Sequence, residues 1–201
     1  MSVDPETLAV YQARADDYAA MVHSDKSGRF LTRFLERLPD GARVLDLGCG
    51  PGIAAAQMRD AGFDVDPVDA TPAMVALARS RHDLPARLGD FDEPLDPASY
   101  HGVWANFSLL HAPRAALPRY LDAIQRALKP GGLFHIGMKL GSGEERDTLG
   151  RFYCYHGRDD LARLLADAGF HILFEDTLIE TGLSGVAAPG ISILTRTNRD
   201  A

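Results

Sequence analysis

The sequence predicts an α/β fold: a doubly wound, mostly parallel seven-stranded sheet with an antiparallel C-terminal strand, helices on both faces and an N-terminal helical lid. Three observations carry this. From Arg43 onward, short apolar runs of strand length alternate with segments of helical period. A glycine-rich turn, Gly48-Cys49-Gly50-Pro51-Gly52, separates the first strand of that alternation from its first helix. The last two strand signals have no helix between them, so they are expected to pair antiparallel.

Residues 1–38 read as two helices forming a cap. Tyr11, Ala15, Tyr18 and Val22 share one helical face, and Phe30, Phe34, Leu35 and Leu38 share another. Pro39-Asp40-Gly41 ends the cap with turn chemistry. Strand signals follow at Arg43 to Leu47, Phe63 to Val68, Arg87 to Gly89, Gly102 to Phe107 and Leu133 to Met138, then at Phe170 to Phe174 and Ile191 to Thr195. Helices are expected over Ile53 to Ala61, from Thr71-Pro72 onward, over Pro118 to Leu128 and over Asp159 to Ala168. Thr71 is placed to cap its helix and Pro72 suits the first helical position. Lys129-Pro130-Gly131-Gly132 is expected to stop the third of these helices. Pro67 cannot donate to a ladder, so irregular pairing is expected in the second strand. One domain over residues 1–201 is expected: a helical cap at 1–38, a core at 42–178, and the last strand and tail at 179–201.

The chain has 201 residues, 46% of them hydrophobic and 24% charged, with a formal net charge of -7. A phosphate-tracking nucleic-acid binder needs a basic face, so no nucleic-acid partner is expected. No apolar run approaches the ~20 residues that span a bilayer, and no membrane partner is expected. Met1-Ser2-Val3-Asp4-Pro5-Glu6 has no secretory pattern. The two cysteines, Cys49 and Cys154, make neither a disulfide framework nor a zinc site. A cytoplasmic protein with reduced thiols and no metal is the expectation.

Ligands of such sheets bind at the carboxyl ends of the strands, near the point where strand order reverses. Polar residues cluster there: Asp46 to Gly52, Asp69, Asp90, and Asn106 to His111. Glycine permits positive backbone angles and close approach to a ligand. A dinucleotide site uses similar glycines, but its G-x-G-x-x-G pattern wants glycine or alanine where Ile53 stands. A pyrophosphate would also be repelled by Asp46. S-adenosylmethionine (SAM) has an ammonium group, a sulfonium and ribose hydroxyls but no phosphate, so carboxylates suit it. Asp69, 19 residues after Gly50, stands where an acid grips ribose hydroxyls with either ligand.

With these residues the sequence resembles the small single-domain class I, Rossmann-like SAM-dependent methyltransferases of bacteria. Val44 through Gly52 matches their first motif along its length. Val68 to Met74 and Leu88-Gly89-Asp90-Phe91 are similar to the second and third. Gly102 to His111 resembles the fourth-strand motif, and Leu128 to Leu133 the entry to the fifth. The likeness runs from about Tyr11 to about Phe174. It implies that SAM is bound and S-adenosylhomocysteine released, and that the methyl goes to a small-molecule acceptor by in-line displacement. Gly48 and Gly50 would pass the amino-acid part of the cofactor, with Asp46 supporting its ammonium. Asp69 would hold the ribose, Ala70 and Met74 the adenine face. Asp90 would accept from the adenine amino group and Phe91 offer a backbone amide. Asn106 and Phe107 would close the methionine end.

No triad or metal cluster is evident, and displacement at a sulfonium requires neither. His111 is a candidate for substrate contact or proton uptake, or is an ordinary helix-entry residue. Tyr11 and Tyr18 either form a lid over the cofactor or pack the first helix. His135, inside a strand, reads as a structural histidine. Between Lys139 and His156, a glycine-rich charged stretch precedes Arg151-Phe152-Tyr153-Cys154-Tyr155-His156. That stretch is either an acceptor-binding segment, with Tyr153 as a further catalytic candidate, or a surface loop with aromatic anchors. An NAD(P)-linked oxidoreductase and a non-catalytic SAM-binding protein are the competing functions.

Overall fold

The computed structural model describes residues 3–22 and 28–198. The stretch 23–27 of the expected cap and the tail residues 199–201 lie outside the described residues, as do residues 1 and 2. Among the described residues the cap holds three helices rather than two: α1 Pro5–Ala13, α2 Ala15–Met21 and α3 Gly28–Leu35. The first expected helix breaks at Arg14, whose φ of -121° is not helical.

Beyond the cap, the chain alternates as expected. β1 is Arg43–Leu47, α4 Ile53–Asp60, β2 Asp64–Asp69, α5 Pro72–His82, β3 Arg87–Leu88 and β4 Tyr100–Asn106. Two 3-10 turns, Leu109–His111 and Arg114–Ala116, lead into α6 Leu117–Ala127 and β5 Leu128–Lys139. A short hairpin, β6 Glu144–Arg146 with β7 Phe152–Cys154, precedes α7 Arg158–Asp167, β8 Phe170–Thr181 and β9 Ala187–Thr197.

The seven-stranded sheet runs β3-β2-β1-β4-β5-β9-β8. All pairs up to β4–β5 are parallel, and β9 is antiparallel to both its neighbours. Strand order reverses between β1 and β4, which puts the switch point at the glycine turn. Each face is buried against its own helices. Tyr120, Leu121 and Ile124 of α6 and Leu161 and Leu165 of α7 join one core cluster. Phe30 and Phe34 of α3, Ala55 and Met58 of α4 and Val75 and Ala78 of α5 join the other. No helix among the described residues is long and apolar enough to cross a membrane.

Three local expectations are corrected. β2 pairs with β1 without a register shift, with Asp46 opposite Pro67. The Val68 carbonyl accepts from Gly48 and Cys49 on the β1 side, and the Asp69 carbonyl from Gly89 on the other. Alternation therefore turns Pro67 towards β3, which pairs only from Val68 onward, so no ladder bond is lost. Lys129 to Gly132 do not separate helix from strand. β5 starts at Leu128, opposite Tyr100, and resumes at Leu133, opposite Gly102, with the four residues bulged out between. Thr71 holds the cap position of α5 without a side-chain cap bond; its hydroxyl and its amide both turn to the Asp69 carboxylate.

Candidate functional site

The first three turns of the switch point are built by glycine. Gly48 has φ +81°, and a Cβ there would lie 2.3 Å from Cβ of Ser108. Gly52 has φ +88°, and its Cβ would meet Leu84 at 2.7 Å and Ala78 at 2.9 Å. Both positions thus need glycine for conformation and for space. The loop's amides are spent within the protein. Gly48 and Cys49 donate to the Val68 carbonyl at 2.8 and 2.9 Å, and Gly52 to that of Cys49 at 3.0 Å. Gly50 donates to Asp69 Oδ2 at 2.8 Å. Asp69 Oδ1 takes the Thr71 amide at 2.8 Å, so one carboxylate ties the loop to the start of α5.

A cleft of about 620 Å³ opens above this loop. Its walls include Gly48, Gly50, Asp69, Ala70, Met74, Asp90, Phe91, Asn106 and Phe107, with Tyr11 and Tyr18 from the cap and His111 beyond β4. Its described lining contains no lysine or arginine. Asp90 Oδ1 accepts from the Asp92 amide at 2.9 Å, which orients that carboxylate. Phe107 stands at φ +55°, a left-handed conformation that non-glycine residues adopt at a cost. Its amide donates to the Gly137 carbonyl at 3.1 Å, which fixes the ring at the cleft edge.

Asp46 lines neither this cleft nor its neighbour. It is 2% exposed beneath the loop, and its Oδ2 has no hydrogen-bond partner. Burial, with the charge of Asp69, pushes its carboxyl up to about 8.

Tyr11 links α1 to the turn that carries His111 and to the hairpin that carries Arg151. Its hydroxyl lies 3.0 Å from His111 Nε2 and receives Arg151 Nη1–H at 2.9 Å. His111 Nδ1 is 2.6 Å from the Phe152 carbonyl, which can only accept. The ring proton is therefore on Nδ1, and the Tyr11 hydroxyl donates to Nε2. Burial drops His111 to about 4, so the ring is neutral. Arg151 is itself held by Asp147, with Nε at 3.0 Å and Nη2 at 2.6 Å. Burial raises the Tyr11 and Tyr153 phenols, so both stay protonated.

A second cavity of about 1090 Å³ shares Tyr11, Tyr18, Asn106, Phe107 and His111 with the cleft. Its remaining lining includes Lys139, Arg151 and Tyr153, with Glu180 to Leu183 from the end of β8. The Lys139 to His156 segment is thus a hairpin facing this cavity. Tyr153 is buried and Tyr155 half-buried. His135 packs in the core: it stacks on Trp104 at 3.7 Å, and its Nε2 lies 3.0 Å from Asn106 Oδ1.

Thr7 and Leu8 of the lid and residues Glu180 to Leu183 also line these cavities without any sequence expectation. Ser108 lines the cleft from within the fourth-strand motif, and its hydroxyl donates to the Leu47 carbonyl at 2.6 Å. The others carry no local signal, because distant segments bring them there.

A family profile described as a methyltransferase domain matches residues 13–174. An O-methyltransferase of Aspergillus nomiae is 32% identical over 177 residues, covering 77% of each chain. A malonyl-[acyl-carrier protein] O-methyltransferase of Enterobacter lignolyticus is 31% identical over 137 residues. That match covers 65% of this chain, and the chain spans only 53% of that relative's length. The fold is that of the Burkholderia thailandensis 1,6-didemethyltoxoflavin-N1-methyltransferase, solved with 1,6-didemethyltoxoflavin and S-adenosylhomocysteine bound. The TM-score is 0.76 at 22% identity, covering 96% of this chain and 88% of that one.

Proposed function

This chain belongs to the methyltransferase-domain family, and from that premise we propose that it holds SAM in the cleft and methylates a small-molecule acceptor in the adjoining cavity. The observation that carries the reading is the pair of joined cavities with opposite linings. One side offers carboxylates and apolar side chains without lysine or arginine; the other offers Lys139, Arg151 and tyrosines. A cationic, phosphate-free nucleoside suits the first lining. A pyrophosphate does not: the Gly48, Cys49, Gly50 and Gly52 amides it would need are already bonded inside the protein. Bound there, SAM supplies a methyl carbon on a sulfonium, whose departure as a neutral thioether needs no acid.

The residues divide the work. Gly48 and Gly50 let the backbone approach the amino-acid part. Asp46, buried beneath the loop with one oxygen lacking a partner, keeps its proton, and an ammonium bound above the loop would favour its ionised form. Asp69 accepts from the ribose hydroxyls while keeping its bonds to Gly50 and Thr71. Ala70 and Met74 pack on the adenine, Asp90 accepts from its amino group, and the Phe91 amide reaches a ring nitrogen. Tyr18, Asn106 and Phe107 close the methionine end. Tyr11, His111 and Tyr153 bound the acceptor and hold it in line with the methyl carbon, which is the main catalytic demand. His111 Nε2 faces the Tyr11 hydroxyl, so a proton leaving the acceptor would reach the imidazole through that phenol.

Asp69→Ala is expected to weaken S-adenosylhomocysteine binding by about tenfold or more in calorimetry, from loss of charge-assisted bonds. Unchanged affinity in a folded variant would overturn the placement of the ribose.

A further inference from the structure

We propose that the acceptor carries a carboxylate and that Lys139 is the residue that binds it. The proposal rests on the second cavity being the acceptor chamber, and it concerns what that chamber selects.

Lys139 ends β5, whose second half otherwise carries His135 as its one polar side chain, and is 7% exposed. Its ammonium lies 3.9 Å from the Tyr153 ring centroid. Among the described residues it makes no ion pair and no hydrogen bond; Asp147 and Glu145 act on it only through space. The contrast with Arg151 is direct, since that guanidinium is already paired with Asp147. A Cβ built at Gly182 would lie 4.0 Å from Lys139 Nζ and 3.9 Å from Arg151 Nη2, the two atoms within 4 Å among the described residues beyond its chain neighbours. The two cations therefore flank one pocket of open space, which the absent side chain of Gly182 leaves free.

The stem of Lys139 is buried while its ammonium reaches the cavity, and an aromatic face compensates only part of the cost of an ammonium partly withdrawn from water without a counter-charge. Burial and the neighbouring Arg151 hold Lys139 below its usual range. An anion in the space beside it offsets that cost. One uncompensated positive charge matches a monoanion. Leu110, Leu183 and the tyrosines suit the apolar body of an organic acid.

The test uses the protein saturated with S-adenosylhomocysteine. The probes are a set of aromatic and aliphatic monocarboxylates, each beside its primary amide, read by thermal shift and calorimetry. At least one acid is expected to bind while its amide does not. Lys139→Met is expected to weaken that acid by about ten- to hundredfold, and Lys139→Arg to restore most of the affinity. Acid binding unchanged in Lys139→Met, or no preference for acids over amides across the set, would overturn the proposal. If S-adenosylhomocysteine itself fails to bind the wild type, the cofactor reading fails instead, and the two failures are distinguishable.

Discussion

Asp46 is the residue whose environment departs furthest from what its place in the chain suggests. It follows an apolar strand and precedes the glycine loop, yet it is buried, short of one partner and close to Asp69. Its carboxyl is pushed from 3.8 up to about 8, so the folded state keeps a proton that the unfolded chain has released. Stability from this group is full below about 4 and is lost as pH rises through about 8. His111, lowered to about 4, and His135, lowered to about 3, act oppositely: they remain neutral when folded, and stability falls as pH drops below 6.5. Comparing pH 7 with pH 9 avoids both histidines. Asp46→Asn is expected to lose less stability over that interval than the wild type in urea denaturation. An identical loss would show that Asp46 ionises normally. Cys154, His156 and Asp160 form a different case. Cys154 Sγ lies 3.2 Å from His156 Nε2, and His156 Nδ1 lies 2.8 Å from Asp160. That order of groups resembles a nucleophilic triad. Cys154 is 1% exposed, however, and burial pushes its thiol up to about 11, so the thiolate is disfavoured and the bonds serve packing.

At the scale of elements, the lid is fastened rather than merely packed. Asp4 caps α1 through the Thr7 amide at 2.9 Å and accepts both Arg146 nitrogens at 2.8 Å. That pairing holds the Asp4 carboxyl well below the usual carboxylate range. Thr7 Oγ1 accepts from the Phe152 amide at 2.8 Å. The β6–β7 hairpin thereby holds α1, and with it Tyr11, over the cleft. Exposed ion pairs add little to global stability. Arg146→Ala is therefore expected to leave the melting temperature nearly unchanged, while amide exchange in residues 5–13 speeds up and S-adenosylhomocysteine binds severalfold more weakly. Unaltered exchange across α1 would refute the fastening. The paired ends of β8 and β9 run past the sheet on the other side of the chamber and deliver Glu180 to Leu183. Their alternation is polar and half-exposed, so it carries no apolar run for sequence reading to find.

For the whole molecule, the cofactor reading makes a linkage prediction. A ligand that binds only the folded state at 100 times its Kd adds about 2.7 kcal/mol. For a chain of this size, at roughly 2–4 °C per kcal/mol, that is a rise of about 5–11 °C in melting temperature. S-adenosylhomocysteine is expected to produce it and NAD is not. Stabilisation by NAD alone would contradict the inventory of loop amides. The fold itself was largely legible. Five parallel strands, the antiparallel final strand and helices on both faces follow from apolar periodicity and glycine punctuation, which are local properties. The break at Arg14 and the bulge at Lys129 to Gly132 were not, since each depends on how neighbouring elements dock.

The sequence by itself determined the strand–loop–helix that builds the switch point. Alternating apolar residues, Gly48 and Gly52 and the carboxylate at Asp69 each act within a few residues or through one strand pairing. Tertiary structure alone decided that Asp46 sits under the loop rather than in the cleft. It alone joined Tyr11 to His111, 100 residues away, and to Arg151, 140 residues away. Among the described residues it also left Lys139 without an ion pair beside Gly182. The reason is physical: a cavity and an unpaired charge are properties of what surrounds a residue, and those surroundings come from segments that periodicity cannot relate.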